Sequence, residues 1–342
     1  MKRLLPLALL LSLSCVTTPA KPTAAVMRAL KLPGAPADGV GLDYLAYDPV
    51  RHRVWIPAGN TGRVDVVDTR TGTLEEIPGF ATREVERNGK KRTVGPSAAA
   101  VAGDAVFIGN RGDSSVCAFD AVTLAKKGCL ALASTPDALL WISSRKELWV
   151  TTPRAKGISV IDAADPAALR LQTQLTFEGE PEGFSADEGR SRVFTNLEDK
   201  DRTLTIDLAS RRTINDWPSG CGEGGPKGLL IDPALGFLVV ACPASLEVFD
   251  AGHGGAPLST LDTGDGVDSF DYLAPSHALY VGAARAASLT VARLDAQGHL
   301  TAISRVPTAK GARNPVVTED GTAYLTDALE GSVLVVPPVP AP

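Results

Sequence analysis

Apolar residues in this chain come in short runs separated by polar turns, and one phrase recurs along its length. A small-apolar stretch leads to an Asp, Gly or Pro turn, then a Val/Leu/Tyr-rich strand, a polar loop and a second apolar strand that closes on Asp. The closing residues are Asp68, Asp120, Asp162, Asp207, Asp250 and Asp295, with Pro337 in the seventh place, and they lie 42 to 52 residues apart. Four short strands and their connections consume about forty residues in a propeller blade. The pattern therefore predicts an all-β chain folded as a seven-bladed β-propeller of four-stranded blades.

Blade one shows the grammar: residues 41–47, an Asp48-Pro49 turn, residues 53–56, a loop around Asn60, residues 64–67, a turn opened by Asp68, then residues 73–78. An Asp side chain can accept hydrogen bonds from backbone amides two residues on, so it starts a turn without glycine. Blade seven stops at Val336, where prolines cannot continue a ladder. Residues 26–32 are the expected donor of its missing outer strand, which would close the ring and leave no open edge. The longest interval, Asp68 to Asp120, contains residues 83–94, a run rich in Arg and Lys centred on Asn88-Gly89. Asn-Gly between alternating residues predicts a hairpin, here a basic one projecting between blades one and two.

Composition agrees with many short strands: 33 Gly, 25 Pro and 5 % aromatic residues, with no segment of helical period. Lys2 and Arg3 precede an apolar run over residues 4–13, too short to span a bilayer and shaped like a secretory signal. The run ends Leu11-Ser12-Leu13-Ser14-Cys15, which resembles the lipobox of bacterial lipoproteins, with Ser12 where that family usually has Leu. The resemblance implies a lipidated Cys15; ordinary cleavage nearby is the alternative. The expected organisation is a signal peptide at 1–14, a tether at 15–24 and one propeller domain at 25–342, in a periplasmic or outer-membrane lipoprotein.

Four cysteines remain, an even number suited to an oxidising compartment. Cys117 and Cys129 fall on consecutive strands equidistant from a turn near Thr123, which places them opposite each other. Cys221 precedes the first strand of the fifth blade and Cys242 ends its second, so both lie at one end of that blade. Two disulfides are expected; inert buried thiols are the other reading.

The repeats resemble a known family, the YncE-like, YVTN-repeat seven-bladed propellers of exported bacterial proteins. The phrases that carry the resemblance include Ala46-Tyr-Asp-Pro49 with Arg53-Val-Trp-Ile56, residues 110–120, Gly179-Glu-Pro-Glu-Gly183, Thr195-Asn-Leu-Glu-Asp199, residues 228–233 and Gly264-Asp-Gly-Val-Asp268. It covers the chain from about residue 26 onward and implies fold and export. Most of the family has no assigned reaction, so it implies no activity.

In such a ring the starts of the innermost strands and the loops between second and third strands open on one face around the central channel. Those positions carry Asp43, Ser97, Asp137, Glu182, Lys227, Asp268 and Arg313-Asn314, with Asn60, Asn110-Arg111, Asn196, Glu198 and Asp199 from the loops. The candidate ligand-binding residues are Asp137, Glu182, Asn196, Glu198, Lys227, Asp268 and Arg313. A subset, Glu182, Asn196 and Asp268, has the oxygen donors a Ca²⁺ ion accepts. Lys227 and Arg313 argue instead for an ion-pair network plugging the channel. A bound ion, a small polar ligand and a plug all remain open.

His52, His253, His277 and His299 all fall in turns predicted on the opposite face, so they cannot serve one active site. No nucleophile–base pairing and no Cys-x-x-Cys-His, P-loop or dinucleotide motif is found, and no catalytic residue is assigned. Net charge is −5 and the pI about 5.5, so nucleic acid is not an expected partner. The main expectation is a monomeric, non-catalytic binding scaffold with no required cofactor, meeting the membrane only through its lipid and taking a protein or small polar ligand. The alternative is a Ca-dependent lactonase or esterase resembling gluconolactonases, with the ion on the axis.

Overall fold

A computed structural model describes residues 26–87 and 89–339. The signal segment, Cys15 and the tether lie outside the described residues. Seven four-stranded antiparallel sheets follow one another around a ring, together with a separate two-stranded hairpin. Blade one comprises Ala46–Asp48, Arg53–Ala58, Arg63–Asp68 and Leu74–Pro78, in order from the channel outward.

Blade two runs from Pro96–Ala102 to Lys126–Ala131, blade three from Leu139–Ile142 to Arg170–Thr176, and blade four from Pro181–Asp187 to Thr213–Pro218. Blade five runs from Leu229–Asp232 to Ala256–Asp262 and blade six from Val267–Leu273 to Leu300–Pro307. Blade seven has Ala312–Val317, Ala323–Asp327 and Ser332–Val336.

The ring closes as the sequence predicts: Arg28–Lys31 supplies the fourth strand of blade seven, with Arg28 opposite Val335 and Lys31 opposite Ser332. Leu32, just beyond it, is buried in the cluster that joins the last blade to the first.

Period-two alternation explains how the blades hold together. On the second strand of blade one, Val54 and Ile56 pack toward blade seven, whereas Trp55 between them packs toward blade two. Second strands are covered on both sides, which is why they read as unbroken apolar runs. Leu148, Trp149 and Val150 are all fully buried. Seven hydrophobic clusters among the described residues each bridge one seam between neighbouring blades.

The closing aspartates do what their position requires. Asp68 Oδ1 accepts from the amides of Arg70 and Thr71 at 2.9 Å, and Asp120 Oδ1 accepts from Val122 and Thr123. Both disulfides are formed. Cys117 and Cys129 are direct cross-strand partners with Cα atoms 4.0 Å apart, and Cys221 joins Cys242 across 5.1 Å. No helix among the described residues is long and apolar enough to cross a membrane.

Candidate functional site at the channel mouth

The sheet pattern breaks at the starts of several innermost strands, as it also does between third and fourth strands. In blades two, four, six and seven the ladder shifts register between Pro96 and Ala98, Pro181 and Phe184, Val267 and Phe270, and Arg313 and Val316. Such irregularities re-aim side chains that regular pleating would point into a neighbouring blade. Glu182, Asp268 and Asn314 sit inside these stretches. Asn314 also takes a left-handed backbone with φ of 47°, a conformation Asn tolerates better than most residues.

A chain of charge-assisted bonds links five blades. Arg111 from blade two bonds Asp43 Oδ2 at 2.7 Å and also bonds Asp137, so one guanidinium holds carboxylates from blades one and three. Asn314 donates to Asp43 Oδ1 at 3.1 Å and Asp268 Oδ2 at 2.9 Å and accepts from the Ser269 amide. Arg313 lies 3.4 Å from Asp268. Beside this lattice Lys227 pairs with Glu198.

Glu182 stands apart. It has no cationic partner among the described residues and accepts one side-chain hydrogen bond, from the Tyr44 hydroxyl at 3.3 Å. Burial, reinforced by Asp137 and Asp268, pushes its carboxyl well above the ordinary range. Asp43 is pushed up to about 6 by burial despite Arg111. Tyr44 is raised by burial and then by Glu182. Core packing accounts for Trp141, which stacks on Phe107 at 5.7 Å, and for Phe184 and Phe270. It does not account for Tyr44, whose hydroxyl belongs to the mouth.

The metal-type residues are separated by their bonds. Asn196 is fully buried, its amide donating to the Lys227 carbonyl at 2.7 Å and accepting from Thr203 at 2.8 Å. Asn110 is likewise tied to the Ala81 carbonyl and the Gly112 amide. Asp268 is engaged by Asn314 and Arg313. Among the described residues no group of three or more His, Cys, Asp or Glu is placed to hold a metal ion. Glu182, Asn196 and Asp268 therefore do not present a common set of free oxygens.

The basic segment forms the hairpin expected of it, Arg83–Arg87 paired with Lys90–Val94. Its position is not evident from the sequence: Arg83, Val85, Arg92 and Val94 line the same 480 Å³ cavity as Asp43, Asp137, Glu182 and Asp268. Arg83 lies opposite Val94 and Val85 opposite Arg92, so these four share one face. Lys91 and Glu84 pair with each other at 2.7 Å on the other.

The four histidines lie in turns at the far end of the blades, as expected. Two of them repeat one arrangement. Tyr47 and His52 in blade one, and Tyr272 and His277 in blade six, are each five residues apart with ring nitrogen and hydroxyl in contact, and each tyrosine donates at 2.5 Å to an acid of the preceding blade, Glu319 or Asp232.

No family model and no curated protein matches the chain by sequence. Its fold is shared with solved propellers. A chain in the crystal structure of a mitotic checkpoint complex aligns with a TM-score of 0.74 at 15 % identity, covering 97 % of this chain and 98 % of that one. The RRP9 WD40 repeats align at 0.73 and 12 % identity, covering 92 % and 98 %. A Kuenenia stuttgartiensis hydrazine synthase chain aligns at 0.72 and 16 %, covering 88 % and 96 %. At these identities the likeness speaks to the fold: a seven-bladed propeller with WD40-type neighbours.

Proposed function

We propose that this chain is an exported, lipid-anchored, monomeric propeller of the YncE-like kind, a single domain that binds its partner at the channel mouth and catalyses no reaction. The observation that carries this reading is the lattice of Arg111, Asp43, Asn314 and Asp268. It ties blades together with groups already committed to one another, which gives a rigid polar rim. A preorganised surface of this kind lowers the ordering cost of binding. The two disulfides support folding in an oxidising compartment. The WD40 repeats among the structural neighbours support a scaffold role.

The hydrolase alternative draws no support from Asn196, whose amide is consumed within blades four and five. Nucleic acid is disfavoured because the net charge is −5.

Two measurements test the reading. Fractionation with Cys15→Ser should move the protein from the membrane to the soluble periplasm. A photo-crosslinking residue at Arg154, on the rim, should capture a partner in intact cells, and the same residue at Val122, on the far face, should not. Capture at Val122 alone would refute the mouth as the binding face.

A further inference from the structure

The charges of the mouth divide into those that satisfy one another and those that do not. Arg111, Asp43, Asp137, Asp268 and Arg313 form the lattice, and Lys227 holds Glu198. Glu182, at the start of blade four, has no ion-pair partner among the described residues and meets the Arg313 charge only through its longer-range field. Arg83 of the hairpin and Arg154 of the third blade line the same cavity with no acid partner among the described residues, and both are exposed. The carboxyls of Glu180 and Glu182, neither in an ion pair among the described residues, and the guanidinium groups of Arg83 and Arg154 line one solvent-open cavity of about 480 Å³.

Size and sign together restrict the occupant. A volume of this order suits a small ligand rather than a macromolecular segment. A simple anion would meet Glu182 and its acidic neighbours, and a simple cation would leave the arginine wall unanswered. A molecule carrying an ammonium group at one end and a carboxylate at the other complements both. The guanidinium fork suits a carboxylate, which it can bind through two parallel hydrogen bonds.

From this division of charge we infer that the mouth binds a short zwitterionic peptide, its ammonium group on Glu182 and its carboxylate on Arg83 and Arg154. The inference rests on the mouth being the binding face. Tyr44 orients the Glu182 carboxyl, and the hairpin and the third-blade loop together supply the basic half. Because burial favours the neutral carboxyl in the free protein, an arriving ammonium group displaces a proton from Glu182 to buffer.

Calorimetric titration of the full chain with L-alanyl-L-alanine tests this. Saturable one-to-one binding is expected, weakened at least about tenfold by N-acetylation and by C-amidation, the loss of one charge-assisted contact. The apparent enthalpy should change with the ionisation enthalpy of the buffer, reporting proton release. Glu182→Gln should erase the difference between free and N-acetylated peptide, and Arg83→Ala with Arg154→Ala should erase the difference between free and amidated peptide. The arginines are exposed and the Gln change is nearly isosteric, so each variant should unfold at the wild-type urea midpoint or above it. No heat from the free dipeptide, or equal affinity for all three peptides, overturns the inference. If that occurs while Arg154 still crosslinks a partner, the binding face stands and only the ligand class falls.

Discussion

The hydroxyl of Tyr44 in blade one donates to Glu182 of blade four at 3.3 Å, spanning the mouth between residues 138 positions apart. Among the described residues this is the one side-chain hydrogen bond Glu182 receives, and it fixes which way the carboxyl points. A carboxyl whose folded pKa is raised costs the protein stability as pH climbs from the ordinary carboxylate value to the raised one. Glu182→Gln should therefore melt higher than wild type at pH 8, with the gap closing toward about pH 4. Tyr44→Phe should widen the pH-dependent loss. Thermal melts across that range check both.

Arg111 compensates two acids at once, so its removal leaves two carboxylates without their ion-pair partner. Arg111→Met should destabilise by about 3 kcal/mol at pH 8, the cost of breaking one side of a largely buried ion pair. Asp43 already titrates at about 6 with Arg111 present and would rise further without it. Part of the loss should be recovered at pH 5, where Asp43 takes up a proton. Urea titrations at the two pH values give the comparison.

The closing aspartates predict the acid limb of the stability curve. Backbone amides hold Asp68, Asp120, Asp207 and Asp295 below the ordinary carboxylate range. Their contribution is complete above the unfolded value of about 4 and disappears as pH falls through the lowered folded values. The triple variant Asp68→Asn, Asp207→Asn, Asp295→Asn keeps the hydrogen-bond acceptors but removes the titration. Its urea midpoint should fall less steeply than wild type below about pH 4.

Each disulfide closes a short loop, with sequence separations of 12 and 21. Loss of either should cost about 3 kcal/mol on chain-entropy grounds. Cys221→Ser with Cys242→Ser, and Cys117→Ser with Cys129→Ser, can be compared with wild type by urea denaturation. Mass spectrometry after alkylation without reduction should find none of the four modified.

Ring closure depends on one short strand. Leu32 is 3 % exposed in the seam between the last blade and the first. Leu32→Ala should cost about 2–4 kcal/mol through the cavity it leaves. Deleting residues 26–32 bares the edge of Ser332–Val336, and size-exclusion chromatography should then show oligomers or aggregate.

Much of this architecture was legible in the chain because it follows from local periodicity. Trp55 and its neighbours betray a strand buried on both faces, Asp68 and Asp120 mark turns, and the spacing of Cys117 and Cys129 about Thr123 sets their pairing. Asn88-Gly89 announced the hairpin. The lattice at the mouth was only partly readable. Residue type and blade position nominated Asp137, Glu182, Asp268 and Arg313, but nothing in the sequence says that Arg111 bridges Asp43 and Asp137.

That link depends on where loops of three blades meet in space. The register shifts that turn Glu182 and Asn314 toward the axis leave no mark in the alternation, because Phe184 and Val316 on either side keep the expected apolar character. Tyr44 misleads for the same reason, since an aromatic on an innermost strand reads as packing. The hairpin's lean over the cavity is set by tertiary contact.

Strand direction has a consequence for posture. Arg28 begins its strand opposite Val335, near the histidine-bearing turns, and the chain climbs from there toward the channel opening. Val26, the first described residue, therefore lies on the underside of the ring. A molecule held to a surface by that end would stand with its channel mouth directed outward, open to whatever diffuses past, and with Tyr47, Tyr272 and their histidine partners turned toward the support.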